Sequence, residues 1–168
     1  FYKCSGLTSV TFPEGLTSIG DHAFYECTGL TSVELPSSLT SIERYAFYKC
    51  ASLTSVILPE GMTSIGPCAF MKCTGLTSVD LSQTRLTSIR QSTFFRCMGL
   101  TSVKLPSSLT SIGGGAFLSC TGLTSVTFPE GLTSIERGAF NGCSRLTSVV
   151  FPSTLTSIGE YAFFDCTR

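Results

Sequence analysis

One stretch of 23 residues, Leu30 to Ser52 (LTSVELPSSLTSIERYAFYKCAS), is written seven times along the chain. The copies begin at Leu7, Leu30, Leu53, Leu76, Leu100, Leu123 and Leu146, and residues 1–6 form part of another. The step is 23 residues throughout, except for one of 24 after Leu76. A fixed period of this size argues against an ordinary globular core. It specifies a quasi-linear array in which each unit touches only its neighbours. The expected organisation is a single array over residues 1–168, with repeats 7–29, 30–52, 53–75, 76–99, 100–122, 123–145 and 146–168. Because the first and last units stand in register with no caps, the chain is expected to be a segment of a longer array.

Within one unit the pattern changes twice. In the second copy, Val33 and Leu35 alternate with Ser32 and Glu34, the period-two signature of a short half-buried strand. Pro36 cannot donate a ladder hydrogen bond and ends it. Leu39-Thr40-Ser41-Ile42 repeats the opening and predicts a second, shorter extended segment. Residues 43–45 lead away; other copies hold Gly66-Pro67 or Gly113-Gly114-Gly115 there, as suits an exposed turn. Ala46 to Cys50 is too short for a stable helix and reads as one helical or 3₁₀ turn. A lone unit buries too few apolar side chains to offset the ordering of its backbone, so stacking must supply the remainder.

Eight of the nine cysteines fall in register, at positions 4, 27, 50, 73, 97, 120, 143 and 166; Cys68 does not. Strict periodicity predicts a ladder of buried thiols acting as small hydrophobes with a weak donor. Neighbours one strand spacing apart would also lie within the allowed disulfide range, so redox compartment does not follow from the cysteines. The fourth unit departs from the rule. Ser82 replaces proline, one extra residue sits within Gln83-Thr84-Arg85, and Thr93 replaces alanine. A local bulge or change of curvature is expected there.

The motifs L-x-x-V-x-L-P, L-T-S-I-G and A-F-x-x-C, as in Leu7 to Cys27, recur in order and spacing over the whole chain. This pattern resembles the BspA-like class of leucine-rich repeats. The resemblance implies a mainly β, curved solenoid with a parallel sheet on its concave side. It also implies surface-exposed proteins of bacteria and protists that take part in adhesion and protein binding. The cysteines align with the position where a typical leucine-rich repeat carries Asn.

Repetition weakens the constant residues as functional signals and leaves the variable ones. Position 5 of the first strand reads Thr11, Glu34, Ile57, Asp80, Lys104, Thr127 and Val150. This row should point from the sheet into solvent, either to read a protein surface or as drift on a solvated face. A second row follows the core phenylalanine and includes Tyr25, Tyr48, Met71 and Phe95. Exposed, it would be an apolar interaction patch; leaning inward, it would be the edge of the core. Beside it Lys49, Lys72 and Arg96 form a short basic stripe.

The formal net charge is zero, and charged residues are only 13% of the chain against a usual level of about 25%. That basic stripe is too small a footprint for nucleic-acid binding. Neither a membrane-spanning apolar run nor a signal peptide is present in the segment. Catalysis finds little: one histidine, His22, at a variable turn position, and scattered acids. Cys68 and Cys73 make C-x-x-x-x-C without a second pair, so no zinc site of the usual spacing is completed, and no cofactor is expected.

The leading reading is a non-enzymatic protein-binding or adhesion solenoid, extracellular or at the cell surface, with a host or matrix protein as partner. One rival is a structural spacer or filament that associates head to tail through apolar end faces. A minor rival is an ice-binding array using the threonine ladders Thr8 to Thr147 and Thr17 to Thr156.

Overall fold

The computed structural model describes residues 1–166. The chain winds as a parallel β-solenoid of about seven turns, with thirteen short strands among the described residues, β1 to β13 in chain order. Each of the first six complete coils contributes one strand to a long sheet and one to a second sheet; the seventh contributes only to the second. The long sheet has six parallel strands in the order β1 (Ser9–Thr11), β3 (Ser32–Glu34), β5 (Ser55–Ile57), β7 (Ser78–Asp80), β9 (Ser102–Lys104) and β11 (Ser125–Val126). Equivalent residues pair directly, as in Val10 with Val33 and Val56 with Val79.

The alternation read from the sequence explains which side faces in. Val33, Val56, Val79, Val103 and Val126 are buried, while the serine before each is exposed. The interior is continued by ladders of Leu, Ile, Ala, Phe and Cys. The phenylalanines Phe24, Phe47, Phe70, Phe94, Phe117 and Phe140 stack face to face, with ring centroids 5.1–5.6 Å apart. Each coil therefore supplies the apolar floor of the next, which is how units too small to fold alone become stable together.

The second sheet is divided. Strands β2 (Ser18–Ile19), β4 (Ser41–Ile42) and β6 (Ser64–Ile65) form one part; β8 (Ser88–Ile89), β10 (Ser111–Ile112), β12 (Ser134–Ile135) and β13 (Ser157–Ile158) form the other. The gap lies between β6 and β8, where the fourth unit carries its extra residue. The expected local distortion is thus an interruption of one sheet. The long sheet and the turn face pass through it unbroken: β5, β7 and β9 pair, and Phe70 N–H still donates to Thr93 O at 3.0 Å. Arg85 N–H donates to Met62 O, a type of carbonyl that elsewhere receives a hydroxyl, such as Ser38 Oγ on Leu16 O.

The helical turn expected at Ala46–Cys50 is corrected. No helix occurs among the described residues; this segment is a run of turns. Its residues alternate in what they bond. Tyr45, Phe47 and Lys49 donate forward to Pro67, Ala69 and Met71 of the next coil, while Ala46, Tyr48 and Cys50 donate three residues back within their own coil. That alternation satisfies the backbone and requires left-handed geometry at two places, Tyr45 (φ 55°) and Lys49 (φ 57°), which no helix tolerates.

Candidate functional site

The outward row of the long sheet holds its register across five strands. Thr11, Glu34, Ile57, Asp80 and Lys104 are successive cross-strand partners, all exposed. Ile57 is 83% exposed, an unusual setting for a β-branched apolar side chain, with acidic Glu34 on one side and Asp80 on the other. Asp80 and Lys104 form an ion pair at 2.8 Å across adjacent strands. That contact, with hydrogen bonds from Ser82, holds the Asp80 carboxyl down at about 2. Thr127 and Val150 continue the row beyond the paired strands: β11 ends at Val126, and Ser148–Val150 makes no strand. They line two adjoining grooves instead. One, of about 340 Å³, lies between Lys104 and Phe128, and the other, of about 390 Å³, between Thr127 and Phe151.

The second row lies on the turn face and leans over the edge of the core. Tyr25, Tyr48, Met71 and Phe95 are all half-buried. Tyr25 and Tyr48 stack at 4.5 Å, and burial beside that neighbour raises the Tyr25 phenol. Two residues that the sequence did not connect with this row join them. His22 and Tyr45 sit three residues before Tyr25 and Tyr48, with rings 5.1 Å apart, and Tyr45 meets Tyr48 edge-on at 5.6 Å. The signal was available: both belong to another variable row at the 23-residue period, held on the same turn by left-handed backbone. Farther along, Gly115 and Gly138 occupy the row of His22 and Tyr45, and the face sinks into a shallow depression between Phe95 and Tyr161.

The cysteine ladder is built from one repeated contact. From Cys27 onward each ladder thiol donates to a phenylalanine carbonyl one coil back: Cys50 to Phe24, Cys73 to Phe47, Cys97 to Phe70, Cys120 to Phe94, at 3.1 Å each. All nine cysteines are free thiols. Burial pushes Cys50 and Cys120 up to about 12 and Cys73 and Cys97 well above the usual thiol range. No cluster of three or more His, Cys, Asp or Glu able to hold a metal occurs among the described residues. The outward threonines are also engaged: Thr31 Oγ1 donates to Thr8 O at 3.1 Å, and Thr40 Oγ1 to Thr17 O at 3.0 Å. Hydroxyl hydrogens turned into the coil boundary are not free to match a lattice of water, which weakens the ice-binding reading.

Comparison with known proteins agrees with this geometry. The model for the BspA type leucine rich repeat region matches in six copies, over residues 1–121 and 87–168. A leucine-rich repeat protein of T. pallidum is 34% identical, with a TM-score of 0.68 over 99% of this chain and 66% of its own. One from Eubacterium ventriosum is 26% identical, with a TM-score of 0.86 over 95% of this chain and 43% of its own. A leucine rich cell surface protein of Faecalibacterium prausnitzii is 31% identical, with a TM-score of 0.52 over 99% of this chain and 59% of its own. The chain thus spans between 43% and 66% of the length of these structures. A comparison with curated proteins found no match.

Proposed function

The chain belongs to the BspA-type leucine-rich repeat family, and from that premise we propose that it is a non-enzymatic protein-binding segment of a cell-surface or secreted protein, using the outward row of the long sheet for adhesion. The observation that carries this reading is the contrast on that sheet. Constant serines and threonines frame one row in which hydroxyl, acid, isoleucine, acid and base follow each other in register. An exposed apolar residue rimmed by charges is the arrangement in which one buried anchor carries affinity and the charges set partner choice. The resemblance to a cell surface protein of Faecalibacterium prausnitzii supports the location. A host or matrix surface protein is the partner of choice.

The test is substitution along the row. Alanine at Glu34, Ile57, Asp80 and Lys104 together should abolish measurable binding to a partner captured from a panel of matrix and host surface proteins, with far-UV dichroism unchanged. An identified partner that binds the quadruple variant as tightly as the parent chain removes the long sheet as the site.

A further inference from the structure

The turn face carries an unbalanced charge that the long-sheet reading does not use. Its basic stripe lies at the second left-handed position of successive turns: Lys49 (φ 57°), Lys72 (φ 63°) and Arg96 (φ 56°). The beginning of this row is partly neutralised, since Glu26 lies between Lys3 at 3.9 Å and Lys49 at 3.2 Å. Among the described residues, Lys72 and Arg96 have no carboxylate within ion-pair distance. Both are nonetheless held in place. Lys72 Nζ donates to Tyr48 Oη at 3.2 Å, 5.6 Å from the centre of that ring, and the Arg96 guanidinium lies 5.4 Å from the centre of the Phe95 ring. The half-buried aromatics of the second row thus pre-position two cations that no carboxylate among the described residues pairs.

Two residues farther along each turn runs a parallel row, Ala51, Thr74 and Met98, and the two rows enclose an open groove of about 240 Å³. Met98 is 49% exposed at a place where the other described units carry threonine, serine or alanine. A flexible thioether at a surface is a common contact for apolar side chains of a partner. One wall of the groove is therefore cationic and the other apolar. The groove lies in the middle of the described coils.

We propose that this groove docks an extended acidic segment of a partner protein in which carboxylates alternate with apolar residues. Successive side chains of an extended peptide point to opposite sides, and those on one side repeat every ~6.8 Å. A segment lying along the solenoid axis sends its carboxylates to Lys72 and Arg96 and its apolar side chains to Thr74 and Met98. The coil spacing is shorter than this repeat, Phe70 and Phe94 of those two coils stacking at 5.6 Å, and the long cationic side chains absorb the difference. A sulfated glycan or a nucleic acid offers the charge without the apolar alternate set.

The proposal is tested with a fluorescein-labelled peptide alternating glutamate and leucine, titrated with the chain and read by anisotropy. Saturable binding is expected, weakened at least about tenfold when glutamine replaces glutamate, and about tenfold by either Lys72→Glu or Arg96→Glu. Met98→Ser should weaken the glutamate–leucine peptide and leave a glutamate–serine peptide unchanged. Ile57→Ala, on the other face, should leave binding intact, which separates this site from the long-sheet row. Failure to saturate, indifference to both charge reversals in variants with native dichroism, or heparin or an oligonucleotide binding more tightly than the peptide overturns it.

Discussion

The Cys50 thiol donates to the Phe24 carbonyl across a coil boundary at 3.1 Å, and the same oxygen accepts the Cys27 amide at 3.2 Å. One carbonyl thus closes its own turn and receives the next coil, filling both lone pairs. The repeat keeps Phe and Cys three apart for this reason: the pair ties stacking to turn closure. Replacing a central ladder residue, Cys73→Ala, leaves Phe47 O short of a partner and a small void beside it. The expected cost is about 1–3 kcal/mol. Cys68→Ala, outside the ladder and half-exposed, should cost far less. Urea unfolding of both variants measures the difference, and equal midpoints would show that the thiol contacts are incidental.

Alkaline pH should act through the same ladder. Burial pushes the Cys50 and Cys120 thiols up to about 12 from an ordinary value of 9.0, and Cys73 and Cys97 upward as well. Between those limits the unfolded chain releases thiol protons that the folded chain keeps. The contribution is fully present below about pH 9 and is lost as pH rises through about 12. Under reducing conditions the urea midpoint should fall from pH 8 to pH 10.5. The loss should shrink in a variant with Cys73 and Cys97 replaced by alanine. A midpoint equally pH-dependent in that variant would assign the effect elsewhere.

At the acid end the group to watch is Asp80. Its carboxyl is lowered to about 2 by Lys104 and Ser82, so the stabilisation it contributes is present above about pH 4 and lost as pH falls through about 2. Both side chains are well exposed, at 51% and 72%, and solvent screening keeps the contribution small. The sharper readout is therefore the titration itself. Carbon-detected NMR should find Asp80 titrating well below the ordinary carboxylate range, and Lys104→Ala should return it toward that range. An unchanged Asp80 titration in that variant would mean the ion pair is not formed in solution.

What was legible in the sequence followed from periodicity. Val33 inward and Glu34 outward follow from a period of two, and the stacking of Phe47 on Phe70 follows from a period of 23. What escaped is what periodicity does not encode. Ala46–Cys50 reads as a helical turn by composition, yet its amides alternate between the next coil and its own, and Tyr45 and Lys49 adopt left-handed geometry with no glycine to announce it. Tyr25 and Tyr48 were visible as a row, but their meeting with His22 and Tyr45 depends on how that turn folds back. Exposure of Ile57 could be read from alternation; the uncompensated charge of Lys72 and Arg96 needed side-chain positions.

The interruption between β6 and β8 gives the last test. Elsewhere in the second sheet a threonine amide and the residue after the isoleucine both donate one coil back, as Thr110 does to Thr87 O and Gly113 to Ile89 O. Thr87 and Arg90 make no such bond to the preceding coil among the described backbone contacts. The long sheet is unaffected because the extra residue comes after β7, and the turn face recovers its register by Gln91, which accepts from Cys68 N–H. Replacing residues 82–85 by the Pro-Ser-Ser of the second unit should let these amides reach Thr63 and Ile65 and join the two parts into one seven-stranded sheet. The lost contacts are local: Ser82 N–H and Oγ–H to the exposed Asp80 Oδ1, Thr84 Oγ1 to Leu81 O, and Arg85 N–H to Met62 O, whose carbonyl a new serine hydroxyl would take over. Two or three recovered inter-coil bonds should raise stability by about 1–3 kcal/mol. Slower hydrogen exchange at the amides of Thr87 and Arg90, with a higher melting midpoint, is the expected result. Exchange as fast as in the parent chain would mean the extra residue is not what keeps the two parts of the sheet apart.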